Sequence, residues 1–298
     1  MACPRGAADD LDGDRMMSRY DDLEEPSPLL TLGADIVVER DVRVRMSDGV
    51  HISVDVFRPS TPGPHPALFG TAPYIKQFDD RPIYPTYRFR ETLDIAWWVR
   101  RGYVYVHGDT RGAGRSLEGD FEGWGAREQR DLYEVIEWSA AQPWCTGRVG
   151  MIGYSYYGVC QWLAATLNPP SLKCIAPYDA SVDPYRDFFF HGGIWSMGFA
   201  QWWVPKFRKR VILDMPGAKP PDVMKFDFCD ASFRHPYYDE FWRERDGSAR
   251  FDRITVPVYS IGNWNMVGLH LRGNVLGYES VRSPKKLMLC GGFGGIHA

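Results

Sequence analysis

Ser155 stands in the run Gly153-Tyr154-Ser155-Tyr156-Tyr157-Gly158, directly after the apolar stretch Val149-Gly150-Met151-Ile152. A buried strand, a sharp turn carrying a serine and a following helix form the context of a nucleophile elbow. Such a turn forces small residues close to the serine, because backbone neighbours approach it closely. It lifts the serine Oγ out at the C-terminal edge of a sheet. The backbone N–H of Tyr156 then points to the same spot, where it can stabilise a tetrahedral oxyanion. The second glycine falls three residues after the serine, with Tyr157 in the place two after it. The competing reading is an ordinary buried serine at a strand end.

A serine nucleophile needs a histidine to take its proton and an acid to orient that histidine. There are seven histidines. His51 falls in a hairpin, His65 in a proline-rich loop, and His107 at a strand end before the elbow. His191 and His235 lie in a long insertion, and His270 begins a helix. Only His297 follows the last apolar run, after the loop Gly291-Gly292-Phe293-Gly294-Gly295. For the acid, Ala176-Pro177-Tyr178-Asp179 ends the run that follows the elbow helix, which puts Asp179 at the sheet edge of Ser155. Asp183 and Asp187 are fallbacks, and a helix cap is the alternative role for Asp179.

The elements that must position these groups are legible as patterns. Val42, Val44 and Met46 alternate with arginines, Ser47-Asp48-Gly49 reads as a turn, and Ile52, Val54 and Val56 alternate again. This predicts an antiparallel hairpin. Short apolar runs follow at 67–69, 103–106, 149–152, 173–176, 256–261 and 287–289. Helices are expected at 91–101, 127–142, 157–167 and 269–281, the second from Leu132, Val135, Ile136 and Ala140. Buried strands alternating with helices predict an α/β fold with a mostly parallel sheet. Residues 36–182 and 252–298 form that core. Residues 1–35 read as a flexible tail. Residues 183–251 carry many aromatics and no clear strand, so they read as a helical cap insertion whose aromatics either pack it down or line a pocket.

Composition removes several classes. The chain has 298 residues, 44% hydrophobic and 24% charged, which is ordinary globular composition. Its 35 basic and 38 acidic residues give a net charge of −3, against the basic surface a nucleic-acid partner requires. Residues 149–172 carry no charge and are long enough to span a bilayer, but their glycines, Gln161 and Pro169-Pro170 read as buried strand, turn and helix, so no membrane partner is expected. The six cysteines are scattered, which predicts neither a metal site nor a disulfide framework and suggests a cytoplasmic setting.

Several further motifs occur in order. They are Met46-Ser47-Asp48-Gly49-Val50 with Val54-Asp55-Val56-Phe57-Arg58-Pro59; Ala72-Pro73-Tyr74-Ile75-Lys76; Gly108-Asp109-Thr110-Arg111-Gly112-Ala113-Gly114-Arg115-Ser116; and Pro143-Trp144 through Gly158. With these the sequence resembles the cocaine-esterase-like hydrolases grouped with the X-Pro dipeptidyl-peptidases. The resemblance implies an α/β-hydrolase core and a Ser–His–acid triad acting on an ester or amide. It implies an oxyanion hole of the Tyr74 hydroxyl and the Tyr156 N–H, and it places the catalytic base at His297. Relatives commonly carry the acid in a Gly-Trp-x-Asp segment. The matching segment here is Gly262-Asn263-Trp264-Asn265, which has no carboxylate, so Asp179 is the preferred acid. Asp109 and Arg111 are expected to fix their glycine-rich loop rather than to react.

The expected function is a serine hydrolase cleaving a small acyl ester or amide, with no cofactor. Ester cleavage is preferred to dipeptidyl-peptidase action, because no acidic pair that would hold a free amino terminus is evident. The rival is a catalytically impaired or truncated homologue acting as a binding or scaffold protein. Family members continue past the catalytic histidine into a jelly-roll domain, absent here, so the length reads as a truncation that leaves His297 on an unanchored tail.

Overall fold

The computed structural model describes residues 32–74, 76, 91–202 and 226–291. The expected tail up to residue 31, the candidate base His297, and Trp203 and Phe207 of the insertion lie outside the described residues.

Strands β1 (Ile36–Arg45) and β2 (His51–Pro59) form the expected hairpin, closed by the Met46 N–H on the Val50 carbonyl at 2.8 Å. Next come β3 (His65–Ala72), helix α1 (Ile95–Val99), β4 (Val104–Asp109), α2 (Ala126–Ala140), β5 (Cys145–Tyr154), α3 (Tyr156–Thr166) and β6 (Leu172–Tyr178). After the insertion, β9 (Val258–Asn263), α7 (Leu271–Ser280) and β10 (Lys285–Cys290) complete the core. The eight strands form one sheet in the order β1-β2-β4-β3-β5-β6-β9-β10. Only the β1–β2 and β2–β4 pairs are antiparallel.

Parallel strands covered by helices on both faces must be apolar throughout. Accordingly β4 is buried at every position. The same reason explains the charge-free stretch 149–172. It is β5 followed by α3, and every residue of α3 is buried. No helix among the described residues is long and apolar enough to cross a membrane. Helix α2 buries Leu132, Val135 and Ile136, the stripe its periodicity marks. Helix α1 is shorter than the expected 91–101. Leu93 adopts φ 65°, outside helical space, and the Asp94 side chain caps the Trp97 N–H at 2.7 Å, so the helix starts only at Ile95.

Between β6 and β9 the described residues include the helices α4 (Met197–Trp202), α5 (Phe228–Arg234) and α6 (Glu240–Arg245). They also include a π-helical turn at Tyr185–Phe189 and a small hairpin, β7 (Phe190–His191) with β8 (Ile194–Trp195). That hairpin was not anticipated. Gly192 and Gly193 turn it at positive φ, and its strands are too short to show alternation. The insertion's aromatics divide between two roles. Phe188, Phe189 and Trp242 are buried, with Phe189 packed against Phe228 and Trp242 at ring distances of 5.5 and 5.4 Å. Tyr185 and Phe190 stack at 4.6 Å and line a cavity of about 540 Å³ with Val267, Leu269, Arg186 and Arg272.

Candidate active site

Ser155 sits between the last residue of β5 and the first of α3, at φ 58° and ψ −114°. A non-glycine residue in this region is strained, and a nucleophile elbow is built on that strain. Its N–H is shared between the carbonyls of Tyr178 (3.0 Å) and Asp179 (3.2 Å), so the end of β6 holds the turn from one side. Gly153, at φ 138°, is required, since a Cβ there would come within 2.5 Å of the Tyr157 Cβ.

The unusual spacing has a packing explanation. Tyr157, where a second glycine would be expected, is fully buried, and its hydroxyl shares a 2.7 Å hydrogen bond with His107 Nε2. Its ring passes over Gly70 of β3, where a Cβ would lie 3.0 Å from Tyr157 Cδ1. Space that a glycine beside the serine would have left is taken from the neighbouring strand instead. Gly158 is needed for another contact, because a Cβ there would meet the Ala180 Cβ at 2.6 Å.

Tyr74 and Tyr156, the residues expected to supply the oxyanion donors, pack ring against ring. Tyr74, just beyond β3, is buried and meets the Tyr156 ring edge-on at 5.9 Å. The Tyr156 ring also stacks on Trp124 at 4.5 Å, and its hydroxyl donates to Glu128 Oε1 at 2.7 Å. Glu128 and Trp124 had not been singled out in the sequence. A signal for Glu128 existed, since it lies four residues before Leu132 on the buried face of α2.

Asp179 follows β6 at φ 40°, with its N–H on the Ile261 carbonyl at 2.7 Å. Its side chain is buried, and no hydrogen bond of good geometry reaches either carboxyl oxygen. Burial pushes its pKa up to about 7, eased only by the nearby Asn263 N–H and Tyr154 hydroxyl. The carboxylate also raises the Cys290 thiol, which puts it near the C-terminal ends of β9 and β10. Asn265 is exposed, and its N–H donates to Asn263 Oδ1 at 3.0 Å. The fallback acids are committed elsewhere. Asp187 accepts from Ser181 Oγ, the N–H groups of Val182 and Asp183, and Arg272. Asp183 pairs with Arg186 at 2.6 Å.

Five of the described histidines are engaged away from Ser155. His51 meets Glu118 and His65 meets Thr61. His107 meets Tyr157, His191 the Asp187 carbonyl, and His235 meets Asp239. The sixth, His270, is buried edge-on to Tyr154 and Phe188, and burial drives its pKa down to about 3, which unsuits it as a base near neutrality. The loop after β4 is structural, as its composition suggests. Asp109 accepts the N–H groups of Lys76 (2.7 Å) and Arg115 (2.8 Å), while Arg111 forks onto Asp131 and also reaches Asp48. The 540 Å³ cavity lies apart from the elbow, and Ser155 does not line it. Among the described residues no cluster of three or more His, Cys, Asp or Glu side chains could hold a metal ion.

A mostly parallel eight-stranded sheet with a strained Ser turn after β5 defines an α/β-hydrolase. The family model of the X-Pro dipeptidyl-peptidases (S15 family) matches residues 48–292, and the chain belongs to that family. It is 38% identical over 192 residues to the cocaine esterase of Rhodococcus sp. (strain MB1 Bresler), covering 63% of this chain and 32% of that protein. A CocE/NonD family hydrolase from Staphylococcus aureus superimposes with TM-score 0.76 at 34% identity, over 87% of this chain and 47% of the other. The acetyl xylan esterase of Paenibacillus sp. R4 shares the fold, with TM-score 0.57 at 15% identity over 97% of this chain and 92% of the other. The chain spans a third to a half of the length of the cocaine esterase and the staphylococcal hydrolase.

Proposed function

We propose that the chain is a serine hydrolase that cleaves an ester, or less readily an amide, through an acyl-enzyme. Ser155 Oγ attacks the acyl carbonyl while His297 takes its proton. Asp179 holds the imidazole in the right tautomer and steadies its positive charge. The developing oxyanion is met by the Tyr156 N–H and the Tyr74 hydroxyl. Collapse of the tetrahedral adduct expels the alcohol or amine, which receives its proton from His297. Water, deprotonated by the same imidazole, then attacks the acyl-enzyme and releases the acid. This chemistry calls on no cofactor.

The observation that carries the reading is the pairing of Ser155 with Asp179. The backbone carbonyl of Asp179 accepts the Ser155 N–H, and its carboxyl is buried with only the Asn263 N–H and Tyr154 hydroxyl beside it. It lies near the end of β10, the strand that leads on to His297. Ester preference is supported by the likeness to a protein named cocaine esterase. Residues 183–251 serve in this reading as a cap over the Ser155 edge of the sheet.

The test is labelling with a fluorophosphonate probe, together with hydrolysis of p-nitrophenyl acetate. We expect stoichiometric labelling that disappears in Ser155→Ala. Folded protein that takes no probe would sink the proposal.

A further inference from the structure

Tyr156 is clamped from outside the elbow. Its hydroxyl donates to Glu128 Oε1 at 2.7 Å, and Glu128 Oε2 accepts the backbone N–H of Trp124 at 2.7 Å. Trp124 in turn stacks on the Tyr156 ring at 4.5 Å and 27°. One carboxyl therefore fixes both the tip of the ring and the residue lying on its face. Tyr74 closes the remaining edge at 5.9 Å. Glu128 and Tyr156 are 2% and 1% exposed, so bulk solvent does not reach these bonds. Burial pushes the Glu128 carboxyl up to about 7, helped by the Asp131 and Glu122 carboxylates, while the Tyr156 hydroxyl and the Trp124 N–H pull against it. For stability alone an apolar side chain of similar volume would serve as well or better.

The clamp acts on a strained peptide. Ser155 sits at φ 58°, and the 155–156 unit carries the N–H proposed for the oxyanion. A ring held at its hydroxyl, face and edge fixes the Tyr156 Cα, and so one end of the peptide that carries the N–H. Freed of its hydroxyl anchor, the ring and the strained peptide can relax together. A shift of well under an ångström is enough to weaken a hydrogen bond made only to the developing oxyanion.

We propose that Glu128 is a positioning residue for the oxyanion hole, acting through the Tyr156 hydroxyl to hold the Tyr156 N–H and the Tyr74 ring in register. The inference rests on the serine-hydrolase reading above. It concerns rate rather than substrate binding, because the oxyanion exists only in the transition state.

The experiment uses the full chain and p-nitrophenyl acetate, with kcat and KM measured separately, fluorophosphonate labelling and thermal melts in parallel. Glu128→Gln and Tyr156→Phe should each lower kcat about tenfold with KM unchanged. The double variant should be no slower than the slower single, because both changes break one bond. In a Tyr74→Phe background, with one oxyanion donor already lost, the Glu128→Gln effect should shrink. If Glu128→Gln does not fold, Tyr156→Phe, which removes a single hydroxyl, decides the matter. Variants that melt lower but keep kcat, or single effects that simply multiply, overturn the inference while leaving the serine-hydrolase reading intact. Wild-type protein that neither turns over the ester nor takes the probe overturns both.

Discussion

Asp109 and Asp179 follow the same design up to a point. Asp109 is the last residue of β4, and Asp179 directly follows β6 in the same sheet. Both are fully buried, and burial pushes their carboxyls up, to about 6 and about 7. They differ in what meets their oxygens. Asp109 is held by the N–H groups of Lys76 and Arg115, with the Lys76 ammonium 4.0 Å away and itself paired with Asp55 at 2.9 Å. Asp179 has only the Asn263 N–H and the Tyr154 hydroxyl nearby, and among the described residues no cation pairs with it. A buried carboxylate is costly unless it is hydrogen-bonded and paired. Asp109 is answered by its own loop and so works as a structural fastener. Asp179 lacks a cation among the described residues, so its burial is offset only by the two neutral donors Asn263 and Tyr154.

The sharpest break of this comparison exchanges each carboxylate for its amide. Asp179→Asn should lower turnover by about 10⁴, the order seen when a triad acid is neutralised elsewhere, with little change in melting temperature. Asp109→Asn should do the opposite. It should cost about 3 kcal/mol of stability by removing one member of a buried charged cluster, while turnover per folded molecule is retained. Melting curves and steady-state kinetics on both variants decide it. Equal effects on rate would erase the distinction.

A second test asks whether His297 is the missing partner. In His297→Ala the Asp179 carboxyl keeps only its two neutral donors, and burial should hold its folded pKa above the free value of 3.8 at least as far as in the parent chain, where it reaches about 7. The folded state then holds its proton more tightly than the unfolded chain. The stability from the protonated form is therefore complete below about pH 4 and lost as pH rises toward 7. Adding Asp179→Asn should restore roughly 2–4 kcal/mol at pH 8 and almost nothing at pH 4. Chemical denaturation at the two pH values measures this. A restoration independent of pH would show that the carboxylate is not responsible. The smallest effect belongs to Asn265→Asp. Asn265 is exposed, so a charge there should move stability by less than about 0.5 kcal/mol and leave the rate unchanged.

What the sequence conveyed, and what it withheld, follows from the range of the interactions. The six parallel strands and α2, α3 and α7 are written in local apolar periodicity, and they lie within a few residues of expectation. Ser155 was legible because strand, glycine and helix are contiguous. The roles of Lys76, Glu128 and Trp124 were not, because each depends on a partner distant in sequence, such as Glu128 on Tyr156. The β7–β8 hairpin escaped because two residues per strand carry no period. Asp179 was recognisable as a carboxylate at the end of β6, but its burial beside two neutral donors and no cation among the described residues is a property of the folded surroundings alone.

The contact between Tyr157 and Gly70 has a consequence for sequence variation. The two positions lie on different elements, yet they occupy one shared volume. A Cβ at Gly70 would also meet the Tyr105 hydroxyl at 3.0 Å and the Ile152 backbone carbonyl at 3.3 Å, so Tyr157 is one of three neighbours that hold this β3 position to glycine. A side chain placed at Gly70 should therefore destabilise the chain, and trimming Tyr157 should relieve only the part of that cost due to its own ring.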